Sequence, residues 1–258
     1  MANTFKEKTK NIIKQIFTFR WKPNRDLAIV ALSWILVVSS LSIATYVFTP
    51  QMGGLYFVFY GVIGAMIFGI GLPLFWMVII RKRPISDLGL TTKYWLASII
   101  LQIIFAVIQY FQIFYKSSLP DMKTFLPLLM LALSIGFFEA IFWRGWVLLR
   151  LEEAFGIIPA IIIGSLLYSG YHIGYGMDFA EMRFLFIIGV MFAIIFRLTK
   201  NVLILWPLFQ PMGQLITLIK DKLGLPMISI LGFGEILIFM IVMIWMANKY
   251  YKKKVLKL

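Results

Sequence analysis

The chain reads as an all-α, polytopic membrane helix bundle of about eight transmembrane helices, and three observations lead there. Hydrophobic residues fill 61% of 258 positions and charged residues only 14%, with a mean hydropathy of +0.91, well outside the mix of a soluble domain. The apolar residues gather into runs near the roughly 20 needed to cross about 30 Å of hydrocarbon. Those runs lack the alternation of barrel strands, so helices are left to satisfy the backbone in lipid.

In chain order, the runs lie near 26–48, 54–81, 94–116, 124–150, 156–176, 183–199, 201–219 and 227–248. Residues 1–25 form a basic leader, 26–248 a single transmembrane domain and 249–258 a basic tail, with no repeat or long linker dividing them. The first run is too long and lacks the small-residue cleavage pattern of a removed signal, so it is expected to remain as an anchor. In the leader, Ile12, Ile13, Ile16 and Phe17 recur at helical spacing among lysines, the pattern of an amphipathic helix on a membrane surface; a disordered basic tail is the alternative.

The formal charge of +14 sits beside the apolar runs. Lys6, Lys8, Lys10, Lys14, Arg20, Lys22 and Arg25 precede the first, and Lys249, Lys252, Lys253, Lys254 and Lys257 follow the last. Between them, Arg81, Lys82, Arg83, Lys93, Arg150, Arg197 and Lys200 fall in alternate loops. The positive-inside rule then puts both termini in the cytoplasm. No basic module stands apart from the membrane segments, which argues against a nucleic-acid partner and for membrane lipids. The absence of cysteine excludes disulfides, thiolate catalysis and Cys-ligated metal.

Ionisable residues inside spanning runs are expensive and so carry information. Glu139 lies about 16 Å from the inner end of its run at Arg150 by helical rise, beyond snorkelling reach. A carboxyl held there is a candidate general base, or a structural partner of Arg144. The five-residue spacing of Glu139 and Arg144 puts them on different faces of an α-helix. His172, the one histidine, falls at comparable depth on the next run. Gln210 and Gln214, four apart with Pro211 between them, place two carboxamides on one face of a helix that the proline should kink. They are candidate donors for an oxyanion or substrate, or packing residues. Glu235, among Gly232 and Gly234, is a possible accessory acid.

The stretch Phe138-Glu139-Ala140-Ile141-Phe142-Trp143-Arg144-Gly145 resembles the first motif of the CPBP family (CAAX proteases and bacteriocin-processing enzymes, Abi-type), which reads Glu-Glu-x-x-x-Arg and then commonly Gly. Tyr168 to His172 resembles its second motif, and Asp87-Leu88-Gly89-Leu90 its upstream connection. The resemblance covers roughly residues 83 to 215. It implies a membrane active site in which Glu139 activates water, Arg144 is a structural partner and His172 an active-site companion. Two positions depart from the pattern: Ala140 replaces the second Glu, and Gln210 to Gln214 stands where the family has His-x-x-x-Asn or Asp. Some degenerate members in low-GC Gram-positive bacteria resemble a protein of lipoprotein N-acylation that works with a separate partner protein.

Three functions are therefore expected to compete. The first is protease-like hydrolysis of a membrane-delivered peptide or lipidated protein in a bacterial cell membrane. The others are acyl transfer to a lipoprotein, and a non-catalytic scaffold or bacteriocin-immunity protein. The family has been called metalloproteases, yet a catalytic zinc takes three protein ligands. Only Glu139, His172 and Glu235 could supply them, so chemistry without metal or other cofactor is expected.

Overall fold

The computed structural model describes residues 14, 16–48, 53–115 and 118–257. Ile12 and Ile13 of the expected amphipathic leader lie outside them. Among the described residues the regular structure is entirely helical. Seven helices are long and apolar enough to cross a membrane: α1 Arg25–Phe48, α2 Gly54–Ile80, α3 Trp95–Ile113, α4 Met122–Phe155, α5 Ile157–Tyr175, α6 Phe179–Thr199 and, last in the chain, α8 Ser229–Lys254. Between the last two lies the shorter α7, Phe209–Lys220.

The seventh expected run, 201–219, thus corrects to a broken segment, which leaves seven candidate spans among the described residues. After α6 the chain turns at Lys200, and Asn201 donates to the carbonyls of Thr91 and Lys93 at 2.8 and 2.9 Å. A 3-10 turn at Val202–Ile204 follows. Pro207 supplies no N–H, and regular helix resumes only at Phe209. Pro211 sits in the first turn of α7, where a missing amide costs no helical bond, so it kinks nothing. Leu215 then packs with Leu128 and Ala132 near the start of α4. The segment therefore runs from the α6 exit toward the α4 entry, with its irregular half, apart from the exposed Leu208, buried or half-buried in protein, where such backbone is tolerated at membrane depth.

Helix α4 is the most buried of the spans; α1, α2, α5, α6 and α8 pack on it, and α3 packs on α7 and the turn before it. Small residues bring α2 close to its neighbours, as is usual where helices pack in lipid. A Cβ at Gly69 would lie 2.1 Å from the Phe138 ring of α4, and one at Gly61 2.4 Å from Ile236 of α8. Ser134 of α4 donates to the Phe233 carbonyl of α8 at 2.6 Å. Ser134→Ala is expected to lower stability by about 1 kcal/mol, read from the thermal midpoint of the detergent-solubilised chain. Outward faces carry Ile103, Phe184, Ile187 and Trp245, all exposed, as a lipid-facing surface requires.

Polar side chains concentrate at one end of the bundle. Asp26, buried at the start of α1, accepts from Trp76 at 2.8 Å and pairs with Arg81 at 3.1 Å. Arg83 pairs with Asp87 and Glu153, and Glu152 with Arg197 and Lys200. Arg20 and Lys22 donate backbone N–H groups to the carbonyls of Phe155 and Ala154, at 3.1 and 3.0 Å. At the opposite end Asp121 caps α4 through the Thr124 amide at 2.8 Å, which holds its carboxyl below the usual range.

Candidate active site

Glu139 stands midway along α4, 3% exposed. One carboxylate oxygen accepts from the Tyr171 hydroxyl. The other accepts from Gln210 Nε2 and Gln214 Nε2, each at 2.7 Å. Three helices thus converge on one carboxyl: α4 carries it, α5 supplies the phenol from its last turn and α7 the carboxamides from its first two turns. The break before Phe209 is what sets those amides at this depth.

The amide orientations follow from chemistry, since a carboxylate only accepts. Each nitrogen must face Glu139, leaving Gln210 Oε1 and Gln214 Oε1 buried without a partner. One N–H of each amide is engaged on Glu139 and the second remains.

Arg144 is 1% exposed but makes no ion pair with Glu139. Residues 140–148 wind in wider π-type turns, which narrows the angular offset of a five-residue spacing. Even so, its guanidinium lies 5.0 Å from the Tyr168 ring centre and 5.8 Å from that of Phe192, a cation–π arrangement between α5 and α6. The structural Glu139–Arg144 pair considered from sequence is therefore not the arrangement adopted.

His172 is 6% exposed and follows Tyr171 in the 3-10 turn Tyr171–Tyr175. Its Nδ1 lies 2.9 Å from the Tyr168 carbonyl. A carbonyl only accepts, so Nδ1 carries the proton and Nε2 is left as the acceptor nitrogen. The imidazole lies tilted against the ring of Tyr171 with centroids 4.2 Å apart, and it is the phenol, rather than the imidazole, that reaches the carboxylate. Tyr171 directly precedes His172, but sequence does not say which of the two reaches the carboxyl: in a 3-10 turn consecutive side chains point about 120° apart, and here Tyr171 takes Glu139 while His172 takes the Tyr168 carbonyl.

Glu235 falls elsewhere. Phe233, Ile236 and Met240 form the buried face of α8, and Glu235 between them is exposed. Helical phase, not the flanking glycines, decides its direction. Among the described residues, no three His, Asp or Glu side chains come together as a metal site. With Glu235 outside and the Glu139 oxygens on three neutral donors, the donor set does not fit a catalytic zinc.

Two motif segments meet beneath the site. A Cβ at Gly145 would lie 2.0 Å from the Leu88 carbonyl oxygen. Arg150 donates to the Asp87 carbonyl at 3.1 Å, and the Gly89 carbonyl accepts from Val202 at 3.0 Å. The 83–90 loop therefore ties the lower half of α4 to the segment leading into α7.

Residues 120–208, roughly a third of the chain, match the family model described as type II CAAX prenyl endopeptidase Rce1-like. That segment holds Glu139, Tyr171, His172 and Arg144 and ends just before Gln210 and Gln214. No curated protein and no solved structure matches the chain.

Proposed function

We propose, from the premise that this chain is a member of the CPBP family as the match over residues 120–208 supports, that it is an intramembrane protease with Glu139 as its general base. The observation that carries the reading is a mid-span carboxyl with no cation partner, held by three neutral donors from two other helices. A structural carboxyl buried in hydrocarbon is ordinarily paired with a charge. Neutral donors instead fix its orientation and leave it able to take up and release a proton.

In this mechanism Glu139 removes a proton from water as the oxygen forms a bond to the scissile carbonyl carbon. The C–N bond then breaks, and the proton passes from Glu139 to the leaving nitrogen, so the products are a free acid and an amine. The remaining N–H groups of Gln210 and Gln214 donate to the developing oxyanion. His172 offers Nε2 as an acceptor for a substrate N–H, and Arg144 positions α5 against α4 through Tyr168. The substrate is a peptide or lipidated protein delivered through the bilayer of a cell membrane. The charge of the end bearing Arg20, Arg83 and the C-terminal lysines supports a cytoplasmic side for it.

The scaffold reading rests on Ala140, Gln210 and Gln214 replacing family residues, whereas acyl transfer draws no support from a peptidase match. Mass spectrometry of membrane peptides and lipoprotein N-termini separates these readings. It would compare cells carrying the wild type, a deletion, Glu139→Gln and His172→Ala at matched protein levels. The protease reading expects both substitutions to reproduce the deletion, with uncleaved precursors accumulating. A deletion phenotype that both substitutions rescue as well as the wild type would leave the scaffold reading instead.

A further inference from the structure

The phenol that binds Glu139 is itself bound. Tyr171 has one hydroxyl proton, and that proton is committed to a carboxylate, which only accepts. The Tyr171 oxygen can therefore only accept in turn, and the Tyr175 hydroxyl, 3.5 Å away, is its donor. The same reasoning fixes the next link, because the Tyr60 side chain of α2 pairs with Tyr175 through their hydroxyls. Tyr175 already gives its proton to Tyr171, so Tyr60 donates to Tyr175. All three phenols thus aim their protons toward Glu139.

The rings continue the row outward. Tyr171 and Tyr175 have centres 5.4 Å apart, Tyr175 and Tyr60 5.8 Å, and Tyr60 and Tyr56 5.5 Å. Tyr171 is fully buried and Tyr60 is 8% exposed, whereas Tyr175 and Tyr56 are half-buried. The row leads to the end of the bundle opposite the ion-paired network: Tyr175 closes α5, and Tyr56 is the third residue of α2. Phenylalanine packs the same neighbourhood at Phe57 and Phe233, so packing alone does not call for these hydroxyls, and a buried phenol needs a polar partner. The other titratable or charged groups near Glu139 are Tyr168 and His172 of α5 and Arg144 of α4 itself. His172 is held by the Tyr168 carbonyl, and Arg144 lies over the rings of Tyr168 and Phe192. Helix α7 presents carboxamides to the carboxyl, and α8 presents Phe233 to Tyr60.

We infer that Tyr60, Tyr175 and Tyr171 are a proton-exchange route between Glu139 and the end of the bundle opposite the charged network. A base at mid-span must regain the same protonation state before each use, and the hydrocarbon around it carries no protons. Aligned hydroxyls need no water-filled channel. One proton enters at Tyr60, each phenol hands on its own proton as it takes its neighbour's, and one arrives on Glu139, with every phenol left neutral. Release uses the same chain with the hydroxyls turned. The inference rests on Glu139 being the base proposed above, and it makes Tyr60 and Tyr175 positioning residues that act through Tyr171.

Time-resolved infrared spectroscopy of the full chain in nanodiscs, after a photolytic acid jump, tests it. The protonated Glu139 carboxyl is the carbonyl band that Glu139→Gln removes. Tyr175→Phe and Tyr60→Phe are each expected to slow the rise of that band by roughly ten-fold or more while its equilibrium pH midpoint stays in place. A merely structural role would not separate rate from midpoint. Tyr168→Phe, which removes a buried phenol packed on Tyr171 but outside the chain, should leave the rate unchanged. Equal rates in the wild type and either chain variant, a midpoint that moves along with the rate, or an equal slowing by Tyr168→Phe would overturn the route and leave the base reading intact. A carboxyl that never titrates would remove Glu139 as the base, and the route with it.

Discussion

Glu139→Gln is expected to abolish turnover, a fall of roughly 10²–10⁴-fold, in a chain that still folds. The substitution removes the proposed base but keeps the shape. Tyr171 can still donate to the new side-chain oxygen. The amides of Gln210 and Gln214 can rotate to offer the oxygens that are unpartnered in the native site, and so accept from the new NH₂ group. Size-exclusion behaviour and thermal midpoint should therefore stay near those of the wild type while peptide release stops. A Glu139→Gln chain that unfolds would assign the carboxyl a structural role. One that retains full activity would remove it from the chemistry.

Gly145→Ala should be the most damaging single change to folding. The added methyl would sit 2.0 Å from the Leu88 oxygen and 2.7 Å from its carbonyl carbon. Backbone on both sides leaves no flexible side chain to yield. Overpacking in a close-packed interior typically costs about 1–3 kcal/mol, and contact with a main chain that Arg150 and Val202 also fix belongs at or above the top of that range. The comparison is Gly164→Ala on α5, whose nearest neighbour would be Leu151 Cδ1 at 3.6 Å. That is ordinary contact, and replacing a helical glycine there is expected to be neutral or to stabilise by roughly 0.5–1 kcal/mol. Both are read from the yield of monodisperse protein and its unfolding temperature in detergent. Equal behaviour of the two variants would mean that the 83–90 loop does not lock against α4.

The membrane bundle was legible because lipid imposes one rule on every span, long apolar helix, and hydropathy reports it directly. The boundaries that shifted did so for local reasons. The sixth run, 183–199 by hydropathy, begins at Phe179 because Asp178 and Glu181 form a capping box, and capping is invisible to a count of apolar residues. The irregular stretch at 202–208 escaped because its residues are almost all apolar, so hydropathy cannot separate a helix from irregular backbone packed in protein. At the candidate site, the positions of Glu139 and Gln210–Gln214 followed from depth and four-residue spacing. Tyr171 and Glu235 did not, since direction around a helix axis depends on which neighbours pack against it. The sequence listed most of the candidate residues, and packing chose among them and added Tyr171.

The most direct test of the central claim is the origin of the oxygen in the product. The purified chain in liposomes would be mixed with membranes from deletion cells in ¹⁸O-labelled water, and the released peptides analysed by mass spectrometry. Hydrolysis by a water activated at Glu139 predicts one heavy oxygen in each new C-terminal carboxyl with the wild type and none with Glu139→Gln. Equal labelling with both proteins, or with neither, would contradict it.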